Sequence, residues 1–235
     1  MFRHGFGILA IGMVIGAGVA QAAPQQMSMD YDLYRNGQKL GSVTDTFSRS
    51  GNQYRLVSVA HATGPMKGLW PGNVRLESRG EVTAQGLRPA SFRHDRSDQP
   101  QKFDSAQLDW KQHTIIQQYK GRTRQVAGLK DGAQDQLSQL YQFVFMPRLP
   151  GDYVLQVVSG RKLDDYHYRG REGGQIKVPA GNFATQEFVR IRNAADEKAI
   201  TVWIAPARNN VPVQVRVTDD GVVMEQRLVR FSARG

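Results

Sequence analysis

Turn-forming residues recur every eight to twelve positions from Met27 onward, and the stretches between them are short and rich in strand-forming residues. That rhythm restricts the fold more than any other feature, because a βαβ chain would need helical patterns between its strands and almost none are present. Asn36-Gly37 lies between residues 30–35 and 39–47. Both of its residues tolerate the positive φ angles of a type I′ turn, so the pair predicts a tight hairpin. Asp220-Gly221 predicts another, between residues 211–217 and 222–231. In the first of these strands Val211, Val213, Val215 and Val217 alternate with Pro212, Gln214, Arg216 and Thr218, which predicts one apolar and one polar face. Ser50-Gly51-Asn52, Gln85-Gly86, Gly173-Gly174 and Pro179-Ala180-Gly181-Asn182 mark further reversals. Strands are expected at 54–62, 74–83, 89–93, 101–108, 114–119, 153–158, 162–172, 183–192 and 200–205. The fold class that follows is mainly all-β, a single large curved antiparallel sheet or open half-barrel.

One segment departs from this pattern. Leu137, Leu140, Tyr141, Val144 and Phe145 fall at helical spacing and define one face of an amphipathic helix. Asp131 with Gln134 forms a candidate capping box at its start, and Pro147 ends it. A lone helix with an apolar face must bury that face, and the open side of the sheet is the simplest place.

Residues 1–22 read as a cleavable signal peptide. Arg3 and His4 precede an apolar stretch at 8–19, and Ala20-Gln21-Ala22 fits the small-x-small cleavage pattern. The apolar run is shorter than the roughly 18 residues that a membrane-spanning helix needs. The mature chain, 23–235, is expected to be one β-rich periplasmic domain, monomeric and without a transmembrane segment. Export alters the meaning of charge. The formal net charge of +10 comes from 31 Lys+Arg against 21 Asp+Glu, and loss of Arg3 lowers it by one. On an exported chain such a surface suits anionic envelope polymers or lipid headgroups, and nucleic acid is not an expected partner. With no Cys, disulfides, thiolate metal sites and cysteine catalysis are excluded.

The run Gln134-Asp135-Gln136-Leu137-Ser138-Gln139-Leu140-Tyr141-Gln142-Phe143 resembles the helical signature of a bacterial exported family catalogued as domain of unknown function 3108. The same order of motifs continues in Gly86-Leu87-Arg88-Pro89, Leu108-Asp109-Trp110, Val178-Pro179-Ala180-Gly181-Asn182-Phe183, and Val202-Trp203-Ile204 followed by Val211-Pro212-Val213. The resemblance implies an exported antiparallel β protein, a half-barrel with one helix on its concave side. By architecture alone this is analogous to lipoprotein carriers of the LolA/LolB type. It supplies no catalytic residues.

Nucleophile, phosphate-loop and zinc signatures are missing from the sequence. Ser159-Gly160-Arg161-Lys162 matches a bare S-x-x-K string, but across a glycine turn, where Lys does not lie one helical turn from Ser. Asp165 and His167 offer two ligands on one strand face, short of the three that a metal site requires. No catalytic, cofactor or metal residues are therefore assigned. Basic residues at alternating positions are candidate anion-binding stripes: Lys120, Arg122 and Arg124, then Arg190 and Arg192, with a further pair at Arg169 and Arg171. The loop around Met66, Leu69 and Trp70, hinged by Gly and Pro, is a candidate lid, with Leu137 and Tyr141 facing the same ligand. The expected function is a non-enzymatic binding or carrier protein for an apolar or amphiphilic envelope ligand such as a lipid. The alternative is a structural protein docking on an envelope protein or anionic polymer.

Overall fold

The computed structural model describes residues 24–68, 72–101, 103–146, 148–192 and 198–235, the side chain of Met66 excepted. The signal peptide expected at 1–22, Leu69 and Trp70 of the lid, and Pro147 lie outside the described residues.

Period-two patterning produces the strands. In β1 (Gln26–Arg35) Met27, Met29, Tyr31 and Leu33 are buried and the residues between them are not. In β2 (Gln38–Ser50) Val43, Asp45 and Phe47 follow the same alternation. Asn36 and Gly37 join the two at φ 48° and 80°, the two-residue turn that their chemistry predicts. The chain then meanders through β3 (Gln53–Ala62), β4 (Val74–Thr83), β5 (Gly86–Arg96), β6 (Asp104–Asp109), β7 (Thr114–Tyr119) and β8 (Arg122–Ala127), each pairing antiparallel with the one before. It next crosses to β9 (Gln134–Asp135) and works back through β10 (Asp152–Val158), β11 (Leu163–Val178), β12 (Gly181–Ile191), β13 (Lys198–Ala205), β14 (Val211–Asp219) and β15 (Val222–Arg234). β15 closes on β1, so all fifteen strands form one sheet with the chain's first and last strands at its centre. The pairing is antiparallel except for the two-residue β9, which runs parallel to β10.

This topology makes a crossing segment unavoidable. β8 ends at one edge of the sheet and β9 begins at the other, so residues 128–133 must pass between them, and a longer connection follows before β10. That connection lies across the concave face, carrying α1 (Ser138–Tyr141) and a 3-10 turn, Gln142–Phe145. The two ends of the sheet meet through side chains. Gln117 on β7 donates from Nε2 to the carbonyls of Ser159 and Lys162 in the β10–β11 turn, at 2.6 and 2.8 Å.

Several expectations require correction. The helix is one turn of α-helix followed by 3-10 turn, because residues 134–135 are already committed to β9. Asp135 fastens its start: Oδ1 accepts from the amides of Leu137 and Ser138 at 2.9 and 2.8 Å, and Ser138 Oγ accepts from Asp135 N at 2.9 Å. The Asp131–Gln134 box does not form, since the Gln134 amide donates instead to Leu87 O. Gly173-Gly174 is a bulge within β11, where the register shifts between Glu172 and Gly174; Gly174 takes φ +67° and the strand continues to Val178. The stretch 211–215 is buried on both faces, Pro212 and Gln214 included. Around it the β13–β14 register slips between Trp203 and Ile204, which displaces the simple alternation.

Candidate functional site

The inward side chains of the sheet form two apolar clusters, and the crossing segment joins them. Leu137, Tyr141 and Phe145 pack into the first, with Met29, Tyr31, Phe47, Leu56, Phe92 and Ile115. Phe143 enters the second, with Leu155, Phe188, Val202 and Ile204. Its ring stacks on Phe188 at 4.4 Å, and Phe145 meets Phe47 at 4.7 Å. Both sides of the segment are thus enclosed, so Phe143, off the predicted helical stripe, is as buried as Leu137. Leu140 and Val144 of that stripe are half-buried.

The segment's polar groups attach it to the wall. The β5–β6 ladder begins only at Ser91, leaving the backbone of Leu87 without a partner on that side. Two glutamines supply it: Gln134 Nε2 donates to Leu87 O at 2.8 Å, and Gln142 Oε1 accepts from Leu87 N at 2.6 Å. Gln142 Nε2 also donates to Gln85 O at 3.0 Å. A second attachment runs through hydroxyls. Tyr54 bonds Ser78 Oγ at 2.8 Å, and Ser78 donates to Asp135 Oδ2 at 2.5 Å. In the third, Tyr141 donates to Asp45 Oδ2, while the neighbouring Tyr31 hydroxyl, 3.3 Å from that of Tyr141, donates to Pro212 O at 2.9 Å.

Asp45 and Asp135 are fully buried, and no cation is among the groups that set their acidity. Burial pushes each carboxyl up to about 6, against the opposing pull of Ser58 and Tyr141 on Asp45 and of Ser78 and the capped amides on Asp135. Burial likewise drives the Tyr31, Tyr54 and Tyr141 phenols upward, so they remain donors. Asp45 Oδ1 makes no hydrogen bond of good geometry although Ser58 lies opposite it, and Gln134 Oε1 also lacks one. An interior selected for stability alone would avoid such groups.

Sequence reasoning singled out Leu137 and Tyr141, passed over Asp45 and Ser78, and read Gln134, Asp135 and Gln142 only as parts of the helical motif. The available signal was a carboxylate at an inward position of an apolar strand, Asp45 between Val43 and Phe47. Of the lid, the described part is the short 3-10 turn Gly64–Gly68, which follows β3.

The basic residues do not form the expected stripes. Lys120 takes φ 49° in the β7–β8 turn, off the strand face that Arg122 and Arg124 share. Arg124 donates to Gln117 Oε1 at 3.0 Å and to Arg161 O at 2.6 Å, helping to fasten the sheet's ends together. Arg190 is buried with its guanidinium 3.7 Å from the Tyr166 ring centroid, and Nη1 donates to Lys198 O at 3.1 Å. Arg192 is exposed just beyond β12, and Arg171 pairs with Glu187. Asp165 pairs with Lys130 at 2.6 Å, and His167 lies 3.6 Å from Asp152. Among the described residues no group of three or more His, Asp or Glu is arranged to hold a metal ion, and no helix is long and apolar enough to cross a membrane.

A solved structure shares this architecture. The β-barrel-like protein of domain of unknown function DUF1849 from Brucella abortus superimposes with a TM-score of 0.51 at 13% identity, covering 88% of this chain and 97% of that one. A domain from Vibrio parahaemolyticus named for outer membrane lipoprotein sorting matches 90% or so of each chain (91% of this one, 86% of that) at 9% identity, but its TM-score of 0.29 is too low to speak for shape. A search of curated proteins finds no match. The family comparison is definite, and it agrees with the helical signature at 134–143: the chain belongs to the family described as protein of unknown function DUF3108, whose model matches residues 30–227.

Proposed function

We propose that this protein is a non-enzymatic binding or carrier module for an apolar or amphiphilic ligand, exported to the periplasm after loss of residues 1–22. The observation that carries this reading is the way the concave face is filled. A wall of inward apolar side chains is covered by residues 128–145, a segment that joins the ladder only at the two residues of β9 and is held by glutamine, serine and tyrosine contacts to buried carboxylates and free strand backbone. Displacing such a segment uncovers an apolar trough, and its polar attachments cost less to exchange for water than an equivalent packed ladder. A trough of this kind suits an acyl chain, whose burial contributes about 0.8 kcal/mol per methylene.

The test is titration of delipidated protein with a dansyl-labelled fatty acid while amide exchange is followed. Saturable binding accompanied by faster exchange in residues 134–145 is expected. No binding, with exchange unchanged, overturns the reading.

A further inference from the structure

The convex face carries an arrangement unrelated to the interior. On β4, Arg75, Glu77 and Arg79 point outward; Glu77 stands opposite Val57 of β3 and Arg93 of β5, and Arg55 stands opposite Arg79. Glu77 is therefore the centre of a patch in which four of its outward neighbours are arginines. Arg55 donates from Nε and Nη2 to Oε1 and Oε2 of Glu77 at 3.0 and 3.1 Å. Arg75 Nη2 reaches Oε2 and Arg79 Nε reaches Oε1, each at 2.5 Å. Arg93 is matched separately by Asp95 at 2.8 Å and lies 4.1 Å from the centroid of the half-buried Phe103 ring.

One carboxylate cannot neutralise three guanidiniums, so the cluster retains two positive charges. The three side chains remain 47%, 37% and 60% exposed, in the order Arg55, Arg75, Arg79. Glu77 holds the forks in place and leaves most of their N–H groups directed at solvent, which lowers the ordering cost of binding an anion. Its carboxyl is held down to about 2, where burial opposes and the three arginines prevail, so it stays ionised at any ordinary pH.

We propose that this face docks on an anionic lipid surface, with Arg55, Arg75 and Arg79 engaging headgroup phosphates. The outward face of three adjacent strands cannot enclose a small ligand, whereas an array of phosphates in a plane can engage all three guanidiniums together. Phe103, at the margin of the patch beneath Arg93, supplies an aromatic ring of the kind that sits at headgroup depth.

Sedimentation with phosphatidylglycerol-containing vesicles, and with phosphatidylcholine vesicles as reference, tests this. Each basic residue at such a surface is worth roughly fivefold in binding, so the triple variant Arg55→Gln, Arg75→Gln, Arg79→Gln is expected to bind about 100-fold more weakly. Glu77→Gln, which removes the negative charge but keeps one acceptor oxygen for the forks, is expected to bind roughly fivefold more tightly. Misfolding cannot produce both shifts. Arg122→Gln, Arg192→Gln, Arg208→Gln removes the same charge from exposed positions elsewhere and is expected to bind like the parent protein. The proposal is overturned if the parent does not prefer the anionic vesicles, if the two triple variants lose binding equally, if Glu77→Gln weakens it, or if inorganic phosphate displaces the protein where chloride of equal ionic strength does not.

Discussion

The Tyr141 hydroxyl donates to the buried carboxylate of Asp45, joining the helical turn of the crossing segment to the inner wall across 96 residues of chain. No cation is among the groups that set its acidity, so the phenol and Ser58 are what favour its charged form. Tyr141→Phe is expected to cost about 1–3 kcal/mol, the range for a buried group deprived of its partner. The loss should be larger at pH 8 than at pH 5, because the variant leaves the charged form of Asp45 worst solvated. Urea unfolding at the two pH values checks this; an equal loss at both would show that the carboxylate is not involved.

The two raised carboxyls set a direction for stability against pH. A group whose acidity is weaker in the fold than in the unfolded chain binds its proton more tightly when folded, so stability falls as pH rises between the two values. For Asp45 and Asp135 that window runs from their ordinary 3.8 to about 6. At about 1.4 kcal/mol per pH unit each would remove at most about 3 kcal/mol. Glu77, held at about 2, acts oppositely and below its ordinary 4.5, so its stabilising effect is lost only as pH falls through that lower range. Urea midpoints should therefore decline from pH 4 to pH 6.5 and then level. Asp45→Asn should flatten part of the decline, and a rising curve over this window would contradict the assignment.

Gln142 satisfies Leu87 N and Gln85 O, two backbone groups on the β5 side that the ladder leaves open. Gln142→Leu keeps the volume and abandons both, at an expected cost of about 1–3 kcal/mol. Amide exchange should accelerate in residues 134–145 ahead of the central strands. If exchange quickened uniformly across the sheet, the segment would not be an independently opening unit.

The seam between the sheet's ends depends on close backbone approach at Gly160. A Cβ there would lie 2.5 Å from Gln118 O and 2.7 Å from Ser105 N. Gly160→Ala must push the β10–β11 turn off β6 and β7, weakening the Gln117 bonds as well, and is expected to cost about 1–3 kcal/mol. Gly151→Ala meets nothing within 4 Å and should be nearly neutral. Thermal melts of the pair distinguish a steric seam from a general intolerance of alanine.

The strands were legible because their information is local. The strands expected at 74–83 and 114–119 coincide with β4 and β7 residue for residue, and Asn36-Gly37 needs only its own backbone preference to turn. Gly173-Gly174 misled for the same reason: a flexible pair reads equally as a turn or a bulge, and the choice belongs to the strand beside it. The helix was overextended because helical spacing in 137–145 is real, while the pairing of Gln134 and Asp135 with β10 is settled by residues some twenty positions away.

By itself, then, the sequence determined most of the strands, the single mainly antiparallel sheet and the segment that must bury its apolar residues, since each follows from the preferences of neighbouring residues. Tertiary structure alone decided that Asp45 meets Tyr141, that Ser78 meets Asp135, and that Arg55 joins Arg75 and Arg79 around Glu77. Asp45 and Tyr141, like Ser78 and Asp135, lie far apart in the chain, and Arg55 sits on the strand beside β4, so only the register and closure of the sheet fix which side chains face one another.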